Sequence, residues 1–322
     1  MATVFIDGES GTTGLRLKAR LATRSDLTLL SIPAECRRDP AARREAMAKA
    51  DLTVLCLPDA AAREAVVLAE GTGTRVLDAS SAHRVAEGWV YGMPELNALQ
   101  ATKIQNANRV SVPGCHATGM IMLTAPLRQQ GLMPADTTLT VTSFTGYTGG
   151  GKAMIATYEA ADRTSHDDLT LPRPYALGQL HKHLPEVVRY SAISHAPVFM
   201  PIVCDTPCGM LVSIGLDIGV LGLKKDDVVA ALNHAYAPYE TVSVSADDEP
   251  LPPMNAYAGR DDIRLMVYGN DERLTLMALY DNLGKGASGT ALQCINVMLG
   301  LEPTTGLVLG HKLNQTRAPQ FN

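Results

Sequence analysis

The residue best placed to do chemistry is Cys115, in Ser111-Val112-Pro113-Gly114-Cys115-His116-Ala117-Thr118-Gly119. Pro113 and Gly114 break the strand read before them, and the apolar run from Met120 to Leu127 reads as a helix. The thiol then lies at or near a helix N-terminus, where unpaired N–H groups and the macrodipole favour an anion. A thiol with a pKa of about 8.5 is only a few per cent thiolate at neutral pH, and lowering it to about 6 makes the thiolate dominant. The competing assignment is a buried, inert cysteine.

A second constellation is His181-Lys182-His183-Leu184-Pro185-Glu186. Imidazole suits proton transfer near neutral pH, and a nearby carboxylate can fix its tautomer and raise its basicity. Two histidines sharing one strand face would also suit a metal. The nearest cysteines, Cys204 and Cys208, flank two breakers and lack zinc-site spacing, so no metal is expected.

A third group is the glycine loop Gly8-Glu9-Ser10-Gly11-Thr12-Thr13-Gly14 between an apolar strand, Thr3 to Ile6, and a helical stretch from Leu15. In such a place one glycine permits the tight turn, the next lets the backbone approach a pyrophosphate, and the last permits close helix–strand packing. The helix start faces the anion. Cofactor choice falls at the end of the second strand, Ser31-Ile32-Pro33-Ala34-Glu35-Cys36-Arg37-Arg38. Ser31, Arg37 and Arg38 suit the 2′-phosphate of NADP(H), while Glu35 is the competing signal for NAD.

These groups need a scaffold. Leu27 to Ile32, Leu52 to Leu57, Arg75 to Asp78 and Arg109 to Ser111 continue the strand series, with Ala-rich helices over 41–50 and 59–69. Repeated βα units with continuous apolar strands predict an α/β, Rossmann-type, doubly wound parallel sheet over residues 1–114. Beyond Cys115 the pattern becomes α+β with a mostly antiparallel sheet. Strands are predicted over 138–142, 211–218, 265–268 and 274–280, the last two paired around Gly269-Asn270-Asp271-Glu272, with a helix over 228–236. This catalytic and dimerisation domain is placed at 115–285. A terminal segment, 286–322, carries a helix over 286–299.

Composition limits the function. The 322 residues are 46% hydrophobic and 19% charged with a net charge of −5. That is a globular composition without the basic footprint of a nucleic-acid binder. No apolar run approaches the roughly 20 residues of a spanning helix, the N-terminus has no basic signal region, and six scattered cysteines make no disulfide framework. The expected location is the cytoplasm, with no membrane partner.

Six stretches occur in order: Gly8 to Gly14, Asp78-Ala79-Ser80-Ser81-Ala82-His83-Arg84, Pro113-Gly114-Cys115, Gly146-Tyr147-Thr148-Gly149-Gly150-Gly151-Lys152, His181 to Glu186, and Asn282-Leu283-Gly284-Lys285-Gly286-Ala287-Ser288-Gly289. Together they resemble the N-acetyl-γ-glutamyl-phosphate reductases of the shorter type, in the aspartate-semialdehyde dehydrogenase-like group, over nearly the whole chain. The resemblance implies an arginine-biosynthesis oxidoreductase that reductively dephosphorylates an acyl phosphate with NADPH and releases inorganic phosphate, as a homodimer or tetramer. It implies Cys115 as nucleophile, His183 as acid/base and Glu186 as its orienting partner. Gly8, Ser10, Gly11, Thr12, Thr13, Gly14, Ser31, Arg37, Arg38, Pro58, Ser80, Asn282, Gly284 and Lys285 would hold NADP(H), with the last helix returning to the first domain. Arg84, Gly146, Tyr147, Lys152 and His181 would hold substrate, Arg84 or Lys152 taking its phosphate. The 146–152 run offers backbone N–H groups and a hydroxyl for an acetyl end. The chain departs from the family at Val112, commonly Asn, and His116, commonly Tyr. Reduction of aspartyl or aminoadipyl phosphate, a silent NADP-binding protein and a zinc hydrolase built on His181 and His183 are the other functions compatible with these residues.

Overall fold

The computed structural model describes residues 1–160, 167–246 and 253–310, which divide into two compact units. The first comprises Met1–Gly114 and Thr290–Gly306; the second comprises Cys115–Gly289 and, among the described residues, 307–310.

In the first unit, β1 (Ala2–Asp7), β2 (Leu27–Leu30), β3 (Leu52–Leu55), β4 (Arg75–Asp78), β5 (Val90–Tyr91) and β6 (Arg109–Ser111) form one sheet in the order β2-β1-β3-β4-β6-β5. Every pairing is parallel. Val4, Phe5, Ile6, Leu52, Val54, Leu55, Val76, Leu77 and Val110 are buried, which is why these strands read as unbroken apolar runs. α1 (Thr12–Leu21), α2 (Pro40–Lys49), α3 (Asp59–Ala69) and α4 (Gln100–Asn106) connect them. Phe5, Met47, Ala62, Val66 and Trp89 lie in one core cluster. The chain leaves β1 for β2 and returns to the other side of β1 as β3, so the switch point of the sheet lies beyond the carboxyl ends of β1 and β3.

In the second unit, α5 (Cys115–Gln129) is buried from His116 through Leu127. It packs on a seven-stranded sheet, order β11-β12-β13-β10-β7-β9-β8, made of β7 (Thr140–Gly146), β8 (Arg173–Pro174), β9 (Val198–Cys204), β10 (Met210–Asp217), β11 (Val242–Ser245), β12 (Ile263–Gly269) and β13 (Arg273–Tyr280). Four pairings are antiparallel, and β7·β9 and β11·β12 are parallel. The other helices of this unit are α6 (Gly151–Tyr158), α7 (Leu184–Ser191) and α8 (Lys225–Tyr236), while α9 (Gly289–Met298) belongs from Thr290 onward to the first unit.

Four details differ from the sequence reading. The helix after Pro113-Gly114 begins at Cys115 itself and tolerates Pro126 near its end. The predicted strand at 138–142 lies later, at Thr140–Gly146. His181 and His183 share no strand: they occupy the turn into α7, with His183 as its N-cap. A π-helical turn, Gly284–Ser288, precedes α9, because Ser288 N–H and Oγ both bond the carbonyl of Leu283 and Gly286 N–H bonds that of Asp281.

Candidate functional site

The first unit carries an anion cradle at its switch point. Gly8 has φ +90°, and a Cβ there would collide with the carbonyl of Cys56 at the end of β3. Gly14 brings α1 against the loop: a Cβ on it would overlap the Gly8 carbonyl. Only glycine meets both demands. Gly11 is the N-cap of α1 and supplies no side-chain cap, so the helix start is left to an external acceptor. Ser10 is exposed and Thr12 and Thr13 half-buried, Pro58 caps α3, and Ser31 and Arg38 are exposed past β2. A nicotinamide dinucleotide fits this cradle.

Arg37 is not simply open to a 2′-phosphate. Its Nη2 donates to Glu9 Oε1 at 2.5 Å, while Lys18 Nζ lies 2.8 Å from Glu9 Oε2. The acid that competes for Arg37 is therefore Glu9, inside the glycine loop. Its neighbour Asp7 is held by buried Arg43 at 2.8 Å; burial raises its pKa and Arg43 opposes the rise.

The Asp78–Arg84 stretch is a self-satisfied turn. Buried Asp78 accepts from Ser80 N–H (2.9 Å) and Ser80 Oγ (2.7 Å) and pairs with His83 Nδ1 (2.6 Å). His83 stacks on Trp89 at 4.2 Å. Arg84, itself buried, donates through Nε to the carbonyl of Val112 at 3.0 Å. The guanidinium thus ties down the segment leading to Cys115, and the hydroxyl of Ser80 is engaged within the turn.

The second unit carries the thiol. Cys115 is half-buried at the first position of α5. Tyr280 Oη donates to its carbonyl at 2.6 Å and accepts from Gly119 N–H at 3.1 Å. A Cβ on Gly286 would stand 3.0 Å from the Cβ of Cys115, so the π-helical turn comes up against Cys115. Two imidazoles gather around His116: His181 at 5.4 Å and His183 at 5.6 Å between ring centroids, with His181 and His183 4.5 Å apart. His181 Nδ1 accepts from His183 N–H at 3.2 Å, which leaves any proton of a neutral His181 on Nε2. His183 and Glu186 are buried, Glu186 in the first turn of α7.

His116 itself is buried between Ser143 Oγ (2.7 Å from Nδ1) and Tyr175 Oη (2.8 Å from Nε2). Burial, with His181 second, pushes its pKa down to about 3. Burial and then the Cys115 thiolate raise the Tyr175 and Tyr280 phenols above their ordinary range. The loop bearing Tyr175 and His181 is pinned by the Gln179 carboxamide, which pairs with both backbone groups of Phe199 at 2.8 and 2.9 Å.

In the 146–152 run and at Asn282, several polar groups meet partners within the fold. The N–H groups of Gly146, Tyr147 and Thr148 bond the carbonyls of Gly209, Thr206 and Pro207, and the Thr148 hydroxyl donates to Pro207 at 2.5 Å. Tyr147 stacks on Tyr158 in a core cluster. These groups are engaged within the fold. Lys152 is exposed on α6. Asn282 accepts from Gly209 N–H at 2.9 Å and donates to Thr148 at 3.1 Å, so its amide holds loops together. Gly284 packs on the backbone of Arg260, and Lys285 is buried.

Tyr280, Tyr175, Ser143 and Glu9 are not among the candidate site residues that the sequence offers. Only Glu9 sat inside a recognised motif; the other three are brought in from distant elements. Among the described residues no helix is long and apolar enough to cross a membrane.

A nucleotide cradle in a parallel sheet, and a thiol at a buried helix start beside histidines in a mixed sheet, define the semialdehyde dehydrogenase class of oxidoreductases. Residues 30–104 match the profile of the semialdehyde dehydrogenase NAD binding domain, and residues 115–282 that of the semialdehyde dehydrogenase dimerisation domain. Aspartate semialdehyde dehydrogenase II from Vibrio cholerae superposes with a TM-score of 0.71 at 15% identity, over 93% of this chain and 99% of that one. The aspartate semialdehyde dehydrogenase with NADP from Candida albicans gives 0.65 at 15%, over 93% and 98%. At such identities the likeness is one of fold. In sequence, the N-acetyl-gamma-glutamyl-phosphate reductase of Chelativorans sp. is 44% identical over 312 residues, 92% of this chain and 98% of that protein. The chain belongs to the N-acetyl-gamma-glutamyl-phosphate reductase family.

Proposed function

We propose that the protein reduces N-acetyl-L-glutamyl 5-phosphate to N-acetyl-L-glutamate 5-semialdehyde with NADPH, through a thioester on Cys115, in arginine biosynthesis. The observation that carries this reading is the 44% identity to a reductase of that name along nearly the whole of both chains. A thiol at the start of α5, followed by His116 whose ring lies 5.6 Å from that of His183, is consistent with it.

The thiolate of Cys115 attacks the acyl carbon, and the N–H groups of the first turn of α5, which have no carbonyl upstream in the helix, stabilise the oxyanion. Collapse expels phosphate and leaves the thioester. When bound, the cofactor supplies the hydride that takes the acyl group to the aldehyde level. His183 holds the proton that the thiohemiacetal oxygen gains and loses as the aldehyde leaves, and Glu186, one turn along α7, orients the ring. Gly8, Gly11 and Gly14 with the start of α1 hold the pyrophosphate, and Arg37 and Arg38 the 2′-phosphate. His181, and either Arg84 or Lys152, serve the substrate anions. The dimerisation-domain match of the second unit supports a homodimer or a tetramer built from it.

The test is the reverse reaction, with NADPH formation followed in the presence of inorganic phosphate. N-acetylglutamate semialdehyde should be used with a kcat/KM at least about a hundredfold above that for aspartate or glutamate semialdehyde, since a mismatched charged amine costs more than a methylene. A preference for aspartate semialdehyde would overturn the assignment.

A further inference from the structure

We propose that His116 is a positioning residue: held neutral by Ser143, it orients the Tyr175 hydroxyl so that the phenolic proton is left to donate beside Cys115. The inference rests on the reading of Cys115 as the nucleophile.

The argument begins with Ser143, buried on β7. Among the described residues its hydroxyl has one side-chain hydrogen bond, the 2.7 Å contact with His116 Nδ1. A buried hydroxyl with one partner gains more by donating its proton than by accepting and leaving that proton unbonded. Ser143 therefore donates and Nδ1 accepts. A neutral imidazole with an accepting Nδ1 carries its proton on Nε2, and Nε2 lies 2.8 Å from Tyr175 Oη. The Nε2–H donates to the phenol oxygen, so the proton of Tyr175 points away from His116. The chain Ser143 to His116 to Tyr175 has a single direction.

Its far end is near Cys115, which directly precedes His116 at the start of α5. Tyr175 and Cys115 are close enough for the thiolate to disfavour ionisation of the phenol, second only to burial. Tyr175 thus stays a donor over the working range. Its loop is fixed by the Tyr175 N–H bond to Pro201 and by the Gln179 clip on Phe199. Phe199 and His181 meet the imidazole edge-on. The titratable groups facing His116 are Tyr175, His181 and His183, and Cys115 precedes it in the chain.

The test is a double-mutant cycle on the full-length protein, His116→Phe, Tyr175→Phe and both together. It is read by turnover and, separately, by the pH dependence of Cys115 alkylation with iodoacetamide. Each single substitution should lower kcat about tenfold, the worth of one oriented hydrogen bond, with the KM for the nucleotide unchanged. Each should slow alkylation at pH 7 about three- to tenfold by raising the thiol midpoint. The double variant should lose no more than either single. His116→Gln, which can present an N–H near the Nε2 position, should recover part of the loss. Additive losses, or unchanged kcat and alkylation in His116→Phe, overturn the proposal. Should His116→Phe not fold, Ser143→Ala decides: it lets the ring take the other tautomer, and an unchanged alkylation profile overturns the proposal. The alkylation arm needs no substrate. A wild type that turns over no semialdehyde but shows the coupled shift refutes the proposed reaction and leaves this inference standing.

Discussion

The hydroxyl of Tyr280, at the end of β13, stands between Gly119 N–H and the carbonyl of Cys115, accepting from one at 3.1 Å and donating to the other at 2.6 Å. These are the amide and carbonyl that the first α-helical bond of α5 would join directly. The backbone of Cys115 is therefore fixed by a side chain 165 positions away. Gly119 makes room for it: a Cβ there would lie 2.8 Å from the phenol oxygen and from Val212. Tyr280→Phe should lower the unfolding free energy by about 1–3 kcal/mol, because two buried backbone groups lose a partner. It should also lower kcat by tenfold or more, measured by urea denaturation and steady-state kinetics. Unchanged values for both would show that the helix closes its own first bond.

Cys115 should be the first of the six cysteines alkylated at pH 7. Cys294 is buried, burial pushes Cys56 up to about 12, and burial also raises Cys204. Cys115→Ser should lose at least about a hundredfold in rate, since a hydroxyl does not ionise as a thiol does. Peptide mapping by mass spectrometry checks the order of modification, and early labelling of Cys36 or Cys208 with Cys115 inert would contradict it.

Of the paired histidines, His183 should carry the proton. It is the buried N-cap of α7, three residues before Glu186. His183→Asn should cut kcat by roughly 10²–10⁴, the usual worth of positioned proton transfer. His181→Asn should act mainly on KM for the semialdehyde. The reverse pattern in steady-state kinetics would exchange their roles.

Cofactor preference should respond to Glu9 as well as to Arg37. Arg37→Ala should weaken NADPH about ten- to a hundredfold, a loss of about 1.5–3 kcal/mol for charge-assisted bonds to phosphate, and leave NADH nearly unchanged. Glu9→Gln removes the carboxylate that holds Arg37 and Lys18. It should tighten NADPH by about three- to tenfold. Fluorescence titration with both nucleotides measures this, and a fall in NADPH affinity in Glu9→Gln would mean that Glu9 orients the arginine.

His116 predicts a pH dependence of stability. In the fold its imidazole stays neutral down to about pH 3, whereas in the unfolded chain it takes up a proton below its ordinary 6.5. Between those values the unfolded state binds the extra proton, so stability falls as pH falls, by up to about 1.4 kcal/mol per unit. From pH 7.5 to 5 the wild type should lose about 2 kcal/mol more than His116→Phe. Equal losses in urea melts of the two would show that the folded state protonates His116 as readily as the unfolded chain does.

Much of this protein is written in local order along the chain. The βα alternation, the glycine loop and Pro113-Gly114-Cys115 are short-range patterns. The buried strands of the parallel sheet announce themselves as apolar runs because both faces are covered. The hairpin around Gly269-Asn270-Asp271-Glu272 is likewise a matter of neighbours in sequence, and its strands β12 and β13 pair antiparallel. β8, β9 and β11 left no such trace. β8 has two residues, β9 contains Pro201, and β11 owes its place to parallel pairing with β12 across a long stretch of chain.

Side-chain partnership was decided only in three dimensions. The sequence names Arg37, Thr148, Asn282 and His116 as polar residues in suggestive places, but a donor satisfied by a neighbour 28 or 134 positions away has no signature along the chain. Hence the motif glycines could be read as a cradle from spacing alone, whereas Thr148 and Asn282, expected to meet ligands, meet each other. For the same reason Tyr280 and Tyr175, invisible in any motif, come to stand around Cys115. Backbone conformation follows from residues close in sequence, while the hydrogen-bond partners of a buried polar side chain follow from which strands and helices the whole chain packs beside it.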